Sequence, residues 1–197
     1  MMDLREKLAP ARKRISEAML HIYNRGLTTA AGGNISELLE EGILITASGR
    51  HKGMIGEENV LLIDPSGKVL LGSGKPSVEW RLHKEIYLSR KDVRAVIHAH
   101  PTFSTVMATF KLAYDLVTAE SATLLGRVSK IPYVKFGSEE FALAVAERIK
   151  RSNAVLVERH GVIVVGKTLE EALIRLEALE ENSRVLYLLR LIESVTG

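Results

Sequence analysis

Ala154-Val155-Leu156-Val157-Glu158-Arg159-His160-Gly161-Val162-Ile163-Val164-Val165 is the stretch whose pattern decides the fold class. Two short apolar runs, rich in β-branched residues and too short for helices, flank a polar break that ends in Gly. This predicts two buried strands joined by a sharp connection. Strands that are apolar on both faces need cover on both sides, and the sequence around them supplies helices. Gly137-Ser138 introduces a predicted helix over 139–150, with Phe141, Val145 and Ile149 recurring every fourth residue. Thr168 and Glu171 read as a capping box ahead of a long helix to about 193, with Leu169, Leu173, Leu176 and Leu179 on one face.

The rest of the chain continues the alternation. Residues 94–100 form an apolar strand, Pro101 starts a helix to about 109, and 121–125 add one more helical turn. Ser77 is positioned to cap a helix through residue 90 with Trp80, Ile86 and Tyr87 facing inward. Segments 34–39, 43–46, 60–63 and 68–71 read as short strands, the last two joined as a hairpin by Asp64-Pro65-Ser66-Gly67. Leu4, Leu8, Ile15, Met19 and Ile22 mark an amphipathic first helix with a kink at Pro10 and a stop at Gly26. No linker or repeat interrupts this order. The expected fold is α/β, one domain over 1–197, with a central mostly antiparallel or mixed β-sheet flanked by helices.

Composition narrows the chemistry. The 197 residues contain no Cys, which excludes a disulfide framework, a thiolate metal site and a thiol nucleophile, so any metal must sit on His and carboxylate. Basic residues exceed acidic ones by 27 to 24, but only Arg12-Lys13-Arg14 cluster and aromatics are 5%, so no nucleic-acid partner is expected. The longest uncharged stretch, 95–110, contains His98, His100 and Pro101 and falls short of the ~20 apolar residues of a membrane span. No apolar segment follows the charged N-terminus, so a cytoplasmic protein without a membrane partner is expected.

Val96-Ile97-His98-Ala99-His100-Pro101 carries the strongest chemical signal. Residues two apart on a strand project from the same face, so His98 and His100 can grip one metal ion. The same spacing also arises when one His lies in the core and the other covers a strand end. His160-Gly161, in the break between the two buried strands, offers a third imidazole where Gly permits a tight backbone. Glu79 falls in the first turn of a predicted helix, where the dipole favours a carboxylate with or without function. In the functional reading it completes a three-His, one-carboxylate site and exchanges protons. His83, one turn later, is either a partner behind the ligands or a satisfied semi-buried residue, and His21 and His51 read as ordinary. Ala30-Ala31-Gly32-Gly33-Asn34-Ile35-Ser36 and Thr46-Ala47-Ser48-Gly49 combine small residues with neutral donors. They form either an anion nest, with Ser77, or a plain loop and turn.

Taken in order, Gly32-Gly33-Asn34-Ile35-Ser36, Ile45-Thr46-Ala47-Ser48-Gly49, Pro76-Ser77-Val78-Glu79-Trp80, His98-Ala99-His100-Pro101 and Arg159-His160-Gly161 resemble the class II aldolase and adducin family. The resemblance runs from the first helix to the closing one. It implies a zinc-dependent aldolase that reversibly cleaves a ketose 1-phosphate, of the L-fuculose 1-phosphate kind, to dihydroxyacetone phosphate and an aldehyde of the L-lactaldehyde kind. It also implies a homotetramer with active sites at subunit interfaces and a small-molecule sugar phosphate as substrate. His98, His100 and His160 match the family's zinc ligands, and Glu79 matches its carboxylate, both ligand and acid/base. Gly33, Asn34, Ser48, Gly49 and Ser77 match the residues that hold the substrate phosphate. Co2+, Ni2+ or Mn2+ are expected to substitute for zinc in part.

The chain departs from the family pattern in places. Ala31 and Val78 stand where the aldolase has hydroxyl residues. Thr118 occupies the place of a Tyr borrowed from the neighbouring subunit, with Tyr114 nearby. The chain ends at Gly197, before the tail by which longer members supply another Tyr, so a more open aldehyde side is expected. The resemblance extends to sugar-phosphate 4-epimerases, which carry Asp at the place of Glu79, to methylthioribulose-1-phosphate dehydratases, which share the metal ligands, and to non-catalytic adducin-like scaffolds. Glu79 together with all three histidines favours the aldolase.

Overall fold

The computed structural model describes residues 3–110 and 113–196. Eight strands form one sheet: β1 (Asn34–Leu39), β2 (Gly42–Thr46), β3 (Val60–Ile63), β4 (Val69–Leu71), β5 (Ala95–Ala99), β6 (Val128–Ile131), β7 (Ala154–Val157) and β8 (Gly161–Gly166). Their spatial order is β4-β3-β2-β1-β5-β8-β7-β6. Every pairing is antiparallel except β6 with β7. Six helices accompany the sheet: α1 (Leu4–Asn24), α2 (Trp80–Ser89), α3 (Thr102–Thr109), α4 (Ala119–Leu125), α5 (Glu139–Ile149) and α6 (Leu169–Thr196). The expectation of a mixed, mostly antiparallel sheet flanked by helices holds.

The apolar strands are apolar on both faces because both faces are covered. Ile97, Leu156 and Val164 join Ile15, Met19 and Ile22 of α1 and Leu176 and Leu179 of α6 in one core. Their neighbours Val96, Val155, Ile163 and Val165 join Leu82 and Ile86 of α2 and Phe141, Val145 and Ile149 of α5 in the other. Successive side chains of a strand point to opposite faces, so each strand feeds both layers. His98, two residues after Val96, therefore lies on the face covered by α2 and α5. Asn34 and Ser36 of β1 pair with His98 and Val96 across the sheet and share that face.

Three local features differ from expectation. Strand β6 was not expected, because Val128-Ser129-Lys130-Ile131 is half polar and only partly buried, as an edge strand can be. Its parallel pairing with β7 needs a crossover, which α5 provides. Helix α2 begins at Trp80, and Ser77 does not cap it. The Ser77 Oγ instead accepts the Glu79 backbone N–H at 3.3 Å, and the Ser77 carbonyl accepts that of Trp80 at 3.1 Å, which closes a turn ahead of the helix. Helix α6 extends to Thr196, past the expected end near 193. Among the described residues no helix is long and apolar enough to cross a membrane.

Candidate active site

The break between β7 and β8 brings the third histidine to the other two. Arg159 takes a positive φ of 54°, uncommon for a side-chain-bearing residue, and the His160 N–H closes the turn on the Val157 carbonyl at 3.2 Å. Gly161 follows because a Cβ there would strike the Ala99 carbonyl and the His100 ring; one on Gly32 would strike the same ring. His98 is buried on β5 with its Nδ1 2.9 Å from the Val162 carbonyl, to which it donates. That bond fixes the tautomer and leaves Nε2 as a lone-pair donor. His100 lies one residue past the strand, anchored by its N–H to the Leu27 carbonyl at 3.1 Å. The Nε2 atoms of His98 and His100 are 3.0 Å apart, and one ring nitrogen from each of the three histidines lies within 4.8 Å of the others. Burial lowers each of the three to about 4, so the rings are neutral and free to ligate at neutral pH.

Glu79 completes the group. It is 5% exposed, with Oε2 3.4 Å from His98 Nε2 and Oε1 3.6 Å from His160 Nε2. Oε2 accepts the Asn34 Nδ2–H at 2.7 Å, whereas Oε1 is buried with no hydrogen-bond partner among the described residues. A carboxylate oxygen orphaned among neutral imidazoles leaves a cost that a bound cation would remove. Three ring nitrogens and one carboxylate are also a donor set that a divalent metal accepts without any thiolate.

Behind Glu79 runs a buried chain of hydrogen bonds. Because a carboxylate only accepts, the Asn34 amide must present Nδ2 to it and Oδ1 to the His83 Nε2 at 2.5 Å. His83 then donates from Nε2, and its Nδ1 accepts from the Ser36 hydroxyl at 2.6 Å. The Tyr87 hydroxyl, 2.6 Å further on, donates to Ser36. The chain demands a neutral His83, and burial with His98 nearby lowers its pKa to about 3. The unfolded imidazole titrates near 6.5, so below that pH the unfolded chain takes up a proton that folded His83 refuses. Stability from this residue is thus complete above about pH 6.5 and falls toward pH 3, by up to ~1.4 kcal/mol per pH unit. Urea titrations from pH 7 to pH 4 should show a shallower loss for His83→Gln than for wild type; equal slopes would contradict the neutral assignment.

On the other side of Glu79 three loops are stitched into a cradle. The Lys52 N–H donates to the Ala30 carbonyl at 2.9 Å, Ser48 N–H to Lys75 at 2.9 Å and Ser77 N–H to Thr46 at 3.2 Å, and Ala47 bridges Pro76. Gly33, at φ 77°, could not carry a Cβ without meeting Thr28 and the His98 carbonyl. The cradle and the histidines open into one cavity of about 250 Å³. Every residue expected at the site lines it: Gly33, Asn34, Ser48, Gly49, Ser77, Glu79, His98, His100 and His160. The Asn34 amide, however, is engaged at both ends inside the protein.

Two lining residues were not anticipated, Lys52 and Phe136. Lys52 follows Ser48-Gly49 on the same loop, which is the signal that could have found it. Tyr114 does not reach the cavity; its hydroxyl bonds Ser183 Oγ at 2.8 Å and the Leu179 carbonyl at 3.2 Å. Thr118 caps α4 through the Ser121 N–H at 3.1 Å. His21 pairs with Glu177, and His51 accepts the Gly53 N–H at a short turn.

Three histidines, a buried carboxylate and small-residue loops thus line one cavity. Residues 13–187 match the family model described as Class II Aldolase and Adducin N-terminal domain. The chain belongs to this family and, with its three histidines converged, to its metal-dependent lyases. It is 32% identical over 164 residues to a protein of Methanocaldococcus jannaschii named L-fuculose phosphate aldolase, covering 83% of this chain and 88% of that one. A Haemophilus influenzae protein named 3-oxo-tetronate 4-phosphate decarboxylase is 30% identical, over 85% and 82% of the respective chains. The crystal structure of L-fuculose-1-phosphate aldolase from Thermus thermophilus superposes with a TM-score of 0.84 at 30% identity, over 98% of both chains.

Proposed function

We propose that this enzyme is a zinc-dependent aldolase that reversibly cleaves a ketose 1-phosphate, of the L-fuculose 1-phosphate kind, to dihydroxyacetone phosphate and an aldehyde of the L-lactaldehyde kind. The observation that supports it most is the single cavity shared by the histidine–carboxylate group and the small-residue loops. His98, His100, His160 and Glu79 hold the metal in this reading, Zn2+ by preference, with Co2+, Ni2+ or Mn2+ as substitutes. When bound there, a cation would supply Lewis-acid polarisation of a substrate carbonyl, which would acidify the adjacent carbon.

Glu79 exchanges the proton at that carbon. In synthesis it accepts the proton, and the carbon then bonds to the aldehyde, whose oxygen takes up a proton from solvent. In cleavage the hydroxyl of the departing half gives its proton to solvent, and the carbon–carbon bond breaks as that half becomes the aldehyde. Glu79 then returns a proton to the carbon left on the dihydroxyacetone phosphate half. Asn34 holds Glu79 Oε2 in place during both, and Gly33, Ser48, Gly49 and Ser77, with Asn34 beside them, hold the phosphate.

The test is a screen of phosphorylated ketoses with products identified by mass, on chelated protein with and without added zinc. Zinc-dependent release of dihydroxyacetone phosphate is expected. The relative named as a decarboxylase makes carbon dioxide release from a phosphorylated 3-oxo acid the second outcome to score, and it would replace the aldol reading. The domain is taken to span 1–197 and the protein to be cytoplasmic and homotetrameric, with sites between neighbouring chains. Sedimentation should therefore give a four-chain mass, and an active monomer would contradict the shared sites.

A further inference from the structure

Lys52 stands out among the buried charges. It opens a 3₁₀ turn (Lys52–Met54) and is only 4% exposed, so its ammonium does not reach solvent as lysines on a surface do. Its Nζ has the Ala47 carbonyl at 3.5 Å, the outer limit of a hydrogen bond, and no carboxylate within ion-pair range among the described residues. An ammonium carries three donors and a full charge, so one marginal acceptor leaves it poorly satisfied. Burial lowers its pKa, and the charge of Glu79 acts in the opposite direction. Lys52 is nonetheless no stray core residue, since it lines the same cavity as Glu79 and the histidines and is its sole Lys or Arg among the described residues.

The neighbouring groups indicate what satisfies it. Ser77 Oγ already accepts the Glu79 N–H, so its hydroxyl proton is left to donate elsewhere. Ser48 and Gly49 lie on the loop that leads into Lys52 and line the cavity with it. Ala31 and Val78 line it too, and neither can donate from its side chain. The rim thus gathers a cation and neutral donors at the place where two side chains offer nothing.

We propose that Lys52 is the counter-charge for the phosphate monoester of the substrate, and that it supplies the binding which Ala31 and Val78 withhold. The inference rests on the reading of this cavity as a sugar-phosphate site, but not on which bond the enzyme breaks. A dianionic phosphate, with three acceptor oxygens, suits one ammonium plus two serine hydroxyls better than a planar carboxylate with two oxygens.

Calorimetric titration of the zinc-loaded protein with inorganic phosphate, and with acetate as the carboxylate control, tests this directly. Wild type should bind phosphate and prefer it clearly to acetate. Lys52→Met, which keeps an unbranched apolar stem and removes charge, should weaken phosphate binding roughly 10- to 100-fold, the range for losing a charge-assisted bond, with metal content unchanged. Lys52→Gln is the second variant should the first unfold. On whichever phosphorylated substrate turns over, either variant should raise KM with kcat within a few-fold. Phosphate bound as tightly by both variants as by wild type, or no preference over acetate in wild type, overturns the proposal. If no ketose phosphate is cleaved yet Lys52 variants still lose phosphate, the aldolase reading fails and Lys52 keeps its role.

Discussion

Glu79→Gln is expected to lower turnover by roughly 10²- to 10⁴-fold, the range for losing a general acid/base, with much less effect on phosphate binding. The geometry makes the substitution sharper than a simple change of charge. Asn34 Nδ2–H donates at 2.7 Å to the Oε2 position, and that donor selects the oxygen of the Gln amide. The amide NH2 then takes the place of Oε1, 3.6 Å from His160 Nε2, where it can neither accept a proton nor ligate a cation. Metal retention by the three histidines should therefore be weaker but recoverable with added zinc, and turnover should stay low at saturating zinc. Steady-state kinetics beside metal analysis separates the two effects. Normal turnover in a metal-loaded Glu79→Gln protein would reduce Glu79 to a helix-terminal charge and end the proposed mechanism.

What the sequence could disclose depended on how local the physics was. The His98–His100 pair was legible because a strand repeats every two residues, and Gly161 was legible because a tight break needs a residue without Cβ. The convergence of His160 and Glu79 on that pair was not local. It depends on β8 pairing beside β5 and on the Ala47–Pro76 bridge holding the segment before α2 against β2, so the residues alone offered it beside a purely structural reading and the family resemblance tipped the choice. His83 shows the same limit. It sits four residues after Glu79 in a helical pattern that fits a core histidine as well as a working one, and only the register that sets Ser36 beside Val96 reveals the chain behind Glu79. Lys52 was missed because Arg50-His51-Lys52 reads as a solvated polar run. Its burial comes from the hydrogen bond that ties its backbone to Ala30, a contact between loops far apart in sequence. Ser77 was assigned to a helix cap because Ser before an apolar run fits that role, yet the chain spends two more residues turning Glu79 into the cavity before α2 begins.

His98→Ala carries the other large expected effect, the loss of metal and activity together. His98 is the most enclosed of the three rings. Its Nδ1–H is committed to the Val162 carbonyl, and its Nε2 lies 3.0 Å from His100 Nε2 and 3.4 Å from Glu79 Oε2. Deleting it removes the ligand that touches both others, so metal affinity should fall by more than ~10²-fold, beyond the loss caused by removing a residue behind a ligand. Apo stability should also drop, by about 1–3 kcal/mol, because a buried ring and its hydrogen bond to the Val162 carbonyl are both lost. The two consequences are separable by unfolding in urea with and without zinc. Binding to the folded state alone stabilises it, by about 2.7 kcal/mol at a hundredfold excess over Kd, so zinc should protect wild type by that order and the variant far less at the same concentration. If zinc protected His98→Ala as fully as wild type, the metal would sit elsewhere, and the three converged imidazoles would be a neutral buried cluster without a catalytic metal.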